Sequence, residues 1–115
     1  MELDAANRSR IESILQDNRV VLFMKGTPAQ PQCGFSAKTT QILNILLPDY
    51  ATVDVLADPE IRVGIKAYGD WPTIPQLYVD SELVGGCDIV DDMYRQGALH
   101  ELLGLELPQE AAPTI

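Results

Sequence analysis

The sequence predicts an α/β domain built on a four-stranded mixed sheet with helices on both faces. Segments of helical apolar spacing alternate with short β-branched runs in the order α, β, α, β, α, β, β, α, α. The two strands nearest each other in sequence flank an acidic turn and read as an antiparallel hairpin, whereas the earlier strands are joined through helices. With 115 residues, 46% of them hydrophobic, the chain can build one ordinary core. Residues 1–107 are therefore expected to form a single domain, with 108–115 as a frayed tail.

From Asp4 to Asp17, Ile11, Ile14 and Leu15 recur at helical spacing, and Asp17-Asn18 marks the end. Arg19 to Met24 is the first strand. From Gly34 to Leu47, the apolar positions Phe35, Ile42, Leu43, Ile45, Leu46 and Leu47 form a second helix, which Pro48 stops. Thr52-Val53-Asp54-Val55 is a short strand. Asp58-Pro59-Glu60 supplies an N-cap, a proline at the first helical position and an acidic first turn, so a helix runs to about Tyr68 and closes at Gly69-Asp70. Ile74 to Val79 and Leu83 to Gly85 form the hairpin around Asp80-Ser81-Glu82. Helix resumes from about Asp88 to Gln96, Gly97 ends it, and a last piece spans about Ala98 to Leu103.

The formal net charge of −9 disfavours nucleic acid and anionic membrane surfaces, which reward clustered Lys and Arg. An anionic ligand needs a local positive site. Apolar runs such as Val20 to Met24 fall far short of the roughly 20 residues that span a bilayer. Two distant cysteines make no disulfide framework, and Met1-Glu2-Leu3-Asp4 opens neither a signal peptide nor an arginine-rich transit segment. The expectation is a soluble, cytoplasmic protein in a reducing compartment.

Cys33-Gly34-Phe35-Ser36 places one thiol where a strand feeds a helix. Unpaired backbone N–H groups and the positive end of the helix dipole there favour the thiolate, which is both a nucleophile and a metal ligand. Thr27-Pro28-Ala29-Gln30-Pro31-Gln32 before it is a polar, proline-punctuated surface loop, which argues against a buried apolar role for the cysteine. Disulfide oxidoreductases carry C-x-x-C in this place, but the fourth position here is Ser36, whose hydroxyl cannot resolve a mixed disulfide. A second thiol or a metal must come from outside the motif.

Lys25-Gly26-Thr27, Cys33-Gly34-Phe35-Ser36, Trp71-Pro72-Thr73-Ile74-Pro75-Gln76-Leu77 and Gly85-Gly86-Cys87-Asp88 together resemble the monothiol glutaredoxins of the CGFS type, over about Arg8 to Leu103. The resemblance implies a thioredoxin fold, glutathione bound beside Cys33, and a [2Fe–2S] cluster shared between two subunits. It implies that Lys25 and Arg62 contact glutathione; otherwise they read as a solvated strand-end lysine and an ordinary helix arginine. It implies a cis bond before Pro75, turning Ile74 to pair main chain to main chain with the tripeptide. Gly85-Gly86 would let a ligand backbone approach, although a tight turn explains them equally. Cys87 and Asp88 would hold the γ-glutamyl carboxylate through their N–H groups, with the Asp88 side chain accepting the ammonium; Asp88 also reads as an N-cap.

Trp71 reads as a loop-packing residue, the commoner case for a tryptophan, ahead of a binding one. Cys87 is open between a resolving thiol, a regulatory disulfide partner and a backbone contact. His100 reads as chemically idle, and Asp91-Asp92 as a solvated helix face.

A [2Fe–2S] centre usually needs four thiolates. If each chain offers Cys33 and one glutathione sulfur, two chains supply four. The implied function is a cluster carrier that works as a cluster-bridged homodimer, with BolA-like proteins and apo iron–sulfur clients as partners. The competing reading is a glutathione-dependent thiol–disulfide oxidoreductase with Cys33 as nucleophile, and a third is a sensor in which Cys33 and Cys87 form a reversible disulfide.

Overall fold

The computed structural model describes residues 3–107; the tail expected to fray, from Pro108 onward, lies outside the described residues. The elements are α1 Ala5–Asp17, β1 Val20–Met24, α2 Gly34–Leu46, β2 Ala51–Asp54, α3 Pro59–Tyr68, β3 Gln76–Val79, β4 Glu82–Gly85, α4 Cys87–Gln96 and α5 Ala98–Leu103. The sheet order is β2-β1-β3-β4. β1 runs parallel to β2, with Val21 opposite Ala51, and antiparallel to β3, with Leu22 opposite Leu77. The fold is the expected thioredoxin-like mixed sheet.

Every residue of β1 is buried because both of its faces are covered. Val20, Leu22 and Met24 pack with Ile42 and Leu43 of α2, Val90 and Tyr94 of α4, and Leu99 and Leu103 of α5. Val21 and Phe23 point the other way, into Ile11 and Leu15 of α1 and Ile61 and Ile65 of α3. The hairpin β3–β4 turns through Asp80 and Ser81, both at positive φ (51° and 66°), the two-residue turn whose twist matches its strands.

Several boundaries move for identifiable reasons. β1 begins at Val20 rather than Arg19, and the Arg19 guanidinium donates to the carbonyls of Leu102 (3.2 Å) and Leu103 (3.1 Å) at the end of α5. β3 begins at Gln76 rather than Ile74, because Pro75 has no N–H for the ladder; the Ile74-Pro75 bond is cis. β2 spans Ala51–Asp54 rather than Thr52 to Val55, since the Asp54 carboxylate accepts the N–H groups of Gly26 and Leu56, both at 2.9 Å, and turns the chain. α2 stops at Leu46, the next residue being held extended by Pro48. α4 starts at Cys87 rather than Asp88, and its N-cap is Gly86, so Asp88 does not cap it. Asp91 departs from the solvated face expected of it: its side chain is 17% exposed and bonds Lys38 of α2 at 3.2 Å and Arg95 at 3.0 Å.

Candidate functional site

Beyond β1 the chain reverses tightly before reaching Cys33. Gly26 sits at φ +86°, where a Cβ would stand 2.5 Å from the Gln30 carbonyl oxygen. The Gln32 N–H donates to the Lys25 carbonyl at 2.9 Å, and Thr27 and Gln30 bond each other's main chain. This exposed loop delivers Cys33 as the N-cap of α2, where its Sγ accepts the Ser36 N–H at 3.3 Å. Ser36 is fully buried. Its Oγ accepts the Lys25 N–H at 3.1 Å and lies 3.3 Å from the cysteine sulfur. With the Lys25 N–H on one lone pair, the hydroxyl's own proton is free to bond a thiolate.

The electrostatics at Cys33 are a contest. Burial pushes the thiol up, whereas the Ser36 hydroxyl, the Ser36 and Phe35 N–H groups and the Lys25 charge pull it down. The donors win, and the thiol is held below its ordinary value of 9.0. Cys33 is partly exposed, Cys87 is buried, and both are free thiols.

Beside Cys33 opens a cleft of about 420 Å³. Lys25 and Phe35 line it from the thiol side, Lys66 from α3, the segment Trp71 to Pro75 along one wall, and Gly86 to Ile89 at the start of α4. Of the residues singled out from sequence, Lys25, Ile74, Cys87 and Asp88 are thus brought together. Cys33 is outside the lining itself but is flanked by Lys25 and Phe35, which belong to it. Arg62 is also outside, and Lys66, one turn further along α3, is inside. The Ile74 side chain is buried in the core with residues of α1 and α3, and the residue also borders the cleft.

Lys25 and Lys66 form no ion pair among the described residues. They give a strongly acidic chain the local positive site that an anionic ligand requires. Gly86 caps α4 without a side chain, and the first helical bond runs from the Val90 N–H to the Gly86 carbonyl at 3.0 Å. The N–H groups of Cys87, Asp88 and Ile89 therefore have no partner within the helix. The Asp88 carboxylate is exposed and unpaired among the described residues. The Trp71 indole nitrogen is buried with no hydrogen-bond partner among them.

Two contributors escaped the sequence reading. In sequence Ser36 reads only as a missing cysteine, and nothing in the chain marks its hydroxyl as bridging two elements. Lys66 had a usable signal, since it follows Arg62 by four residues and so shares its face of α3.

Residues 20–84 match the family model described as Glutaredoxin. The chain is 50% identical over 105 residues to an uncharacterized monothiol glutaredoxin, ycf64-like, of Synechocystis, an alignment covering 91% of this chain and 98% of that one. It is 47% identical to the mitochondrial monothiol glutaredoxin-5 of Schizosaccharomyces pombe, over 88% of this chain and 71% of the other. Glutaredoxin 4 of Escherichia coli is 48% identical, covering 82% of each. Among solved structures, reduced poplar apo GrxS14 superposes with a TM-score of 0.75 at 43% identity, over 84% of this chain and 89% of that one. Matched along most of its length and carrying a single cysteine in its C-x-x-S motif, the chain belongs to the glutaredoxin family, among the monothiol glutaredoxins that work with glutathione.

Proposed function

We propose that this protein is an iron–sulfur cluster carrier: two copies share a [2Fe–2S] cluster, each contributing Cys33 and the sulfur of one bound glutathione, and pass it to client proteins. The observation that carries the reading is a lone activated thiol beside a cleft whose charges complement those of glutathione. The tripeptide has two carboxylates, an ammonium and a thiol. Lys25 and Lys66, with Arg62 a turn away, suit the glycyl carboxylate. The main chain at Ile74 suits the central residue. The free N–H groups at Cys87 and Asp88 suit the γ-glutamyl carboxylate, and the Asp88 side chain suits the ammonium.

The donor set is consistent with a shared cargo. The chain has two cysteines, so a four-thiolate centre requires ligands from beyond one chain. Phe35, 65% exposed, and Ile89 give the cleft an apolar rim that a second copy would cover. BolA-like proteins and apo iron–sulfur proteins are the partners this reading names. The two free thiols fit a reducing, cytoplasmic setting.

The lowered thiol also supports an enzymatic reading. The Cys33 thiolate would attack the glutathione sulfur of a protein mixed disulfide and release the protein thiolate, and a second glutathione thiolate would then free Cys33 as oxidised glutathione departs. Substitution separates the roles of the two thiols. Anaerobic reconstitution of Cys33→Ser is expected to give a colourless, folded protein, and that of Cys87→Ser a coloured one. A cluster that survives Cys33→Ser would sink the ligand assignment.

A further inference from the structure

We propose that the indole N–H of Trp71 is a glutathione-binding donor, directed at the γ-glutamyl carboxylate where that group meets the start of α4. The inference rests on glutathione occupying the cleft. Both main-chain groups of Trp71 are engaged: its N–H donates to the Lys66 carbonyl at 3.0 Å, and its carbonyl accepts from Gln76 Nε2 at 3.0 Å. Gln76 is itself fully buried and holds the Thr73 carbonyl at 3.3 Å. The ring is thus carried on a pinned loop, and its one polar atom is buried without an acceptor among the described residues. A tryptophan that served only as packing would place this N–H against a carbonyl or in solvent, because burying it unpaired is costly.

The ring's surroundings indicate which acceptor fits. Asn7 Oδ1 and His100 Nδ1 share the unpartnered condition, but neither residue lines the cleft, whereas Trp71 does. A Cβ on Gly86 would stand 3.4 Å from Trp71 Nε1 and 3.3 Å from the Pro75 carbonyl oxygen. Glycine at this N-cap therefore keeps a side chain out of the space between the indole and the helix start. The free N–H groups of Cys87 and Asp88 would hold an anion, and the indole, next to Gly86, would add a neutral donor beside them. An oxygen held by all three accepts hydrogen bonds without acquiring a counter-charge. That leaves Lys25 and Lys66 for the second carboxylate.

The chain has one tryptophan, so one indole N–H resonance reports this atom alone. Reduced ¹⁵N-labelled protein titrated with glutathione should show that resonance moving downfield, and its hydrogen exchange slowing, in step with the Cys87 and Asp88 amides. Cysteinylglycine, which lacks the γ-glutamyl group, should leave it in place. Trp71→Phe keeps the aromatic body and removes the donor, and should weaken glutathione binding about tenfold by calorimetry. Gly86→Ala should weaken it as well with the fold intact. If the Cys87 and Asp88 amides shift while the indole stays, or Trp71→Phe binds as the parent does, Trp71 is a packing residue and the proposal is overturned. A shift of equal size with cysteinylglycine overturns the assignment to the γ-glutamyl end. If neither the indole nor the amides respond, the glutathione reading fails and takes this inference with it.

Discussion

One buried hydroxyl leads the donors that lower the thiol at Cys33 against its burial. Ser36 takes the Lys25 N–H on its oxygen and lies 3.3 Å from the sulfur, where its own proton can bond a thiolate, tying the end of β1 to the start of α2. Burial alone would push the thiol up, and the donors bring it below 9.0. A group whose folded value is depressed keeps its anion at pH values where an ordinary cysteine is protonated. Alkylation of Cys33 by iodoacetamide, followed against pH in Cys87→Ser protein, should reach half its maximal rate below pH 9.0. In Ser36→Ala that midpoint should move up, whereas identical profiles would show that the hydroxyl does not tune the sulfur. Cys33 stood out because local chemistry marks it, whereas Lys25, Cys87 and Asp88 were placed near it by the motifs that carry the resemblance. Ser36 was not legible, because its role depends on how closely a strand end approaches a helix N-terminus, a tertiary distance with no local signature.

The elements that frame the cleft are fastened by side chains whose partners are far away in sequence. Asp91 on α4 bonds Lys38 on α2, so it couples the helix that presents Cys33 to the helix that opens at Cys87. Burial pushes its carboxyl up, but the bonds from Lys38 and Arg95 outweigh this and hold it below 3.8. Its stabilising contribution is therefore complete above the unfolded carboxyl's range and disappears as pH falls through the lower folded value. Asp91→Ala should cost about 1 kcal/mol in urea unfolding at pH 7 and nearly nothing below the folded carboxyl's titration. An equal loss at both pH values would mean that packing rather than charge fastens the helices. Local punctuation made most elements readable: Asp58 accepts the Ile61 N–H at 3.2 Å, and Gly97 ends α4 at φ +81°. The two strand starts moved for different reasons: at Arg19 the partner is a distant helix end, whereas at Ile74 the cause is local, a following proline unable to join the ladder.

Across the molecule, a sheet covered on both faces fixes the cleft at one end, where β1 runs out into α2, the cis-proline loop enters β3 and α4 begins. The two-faced burial of β1 was readable from its unbroken apolar run, but the convergence of Lys66 and Trp71 on one cavity emerges only once α3 and the following loop are folded onto it. A chain of formal charge −9 gathers two lysines in that cavity beside a thiol that lacks a resolving partner in its motif. The proposed consequence is a cargo held jointly with a second copy. The most direct test is anaerobic reconstitution with iron and sulfide, with and without glutathione, read by visible absorption and by molar mass on size exclusion. A coloured dimer that forms only with glutathione and returns to a colourless monomer when the cluster is chelated is the predicted result. A colourless monomer in the presence of glutathione, or a coloured species formed equally well without it, would contradict the shared-cluster account.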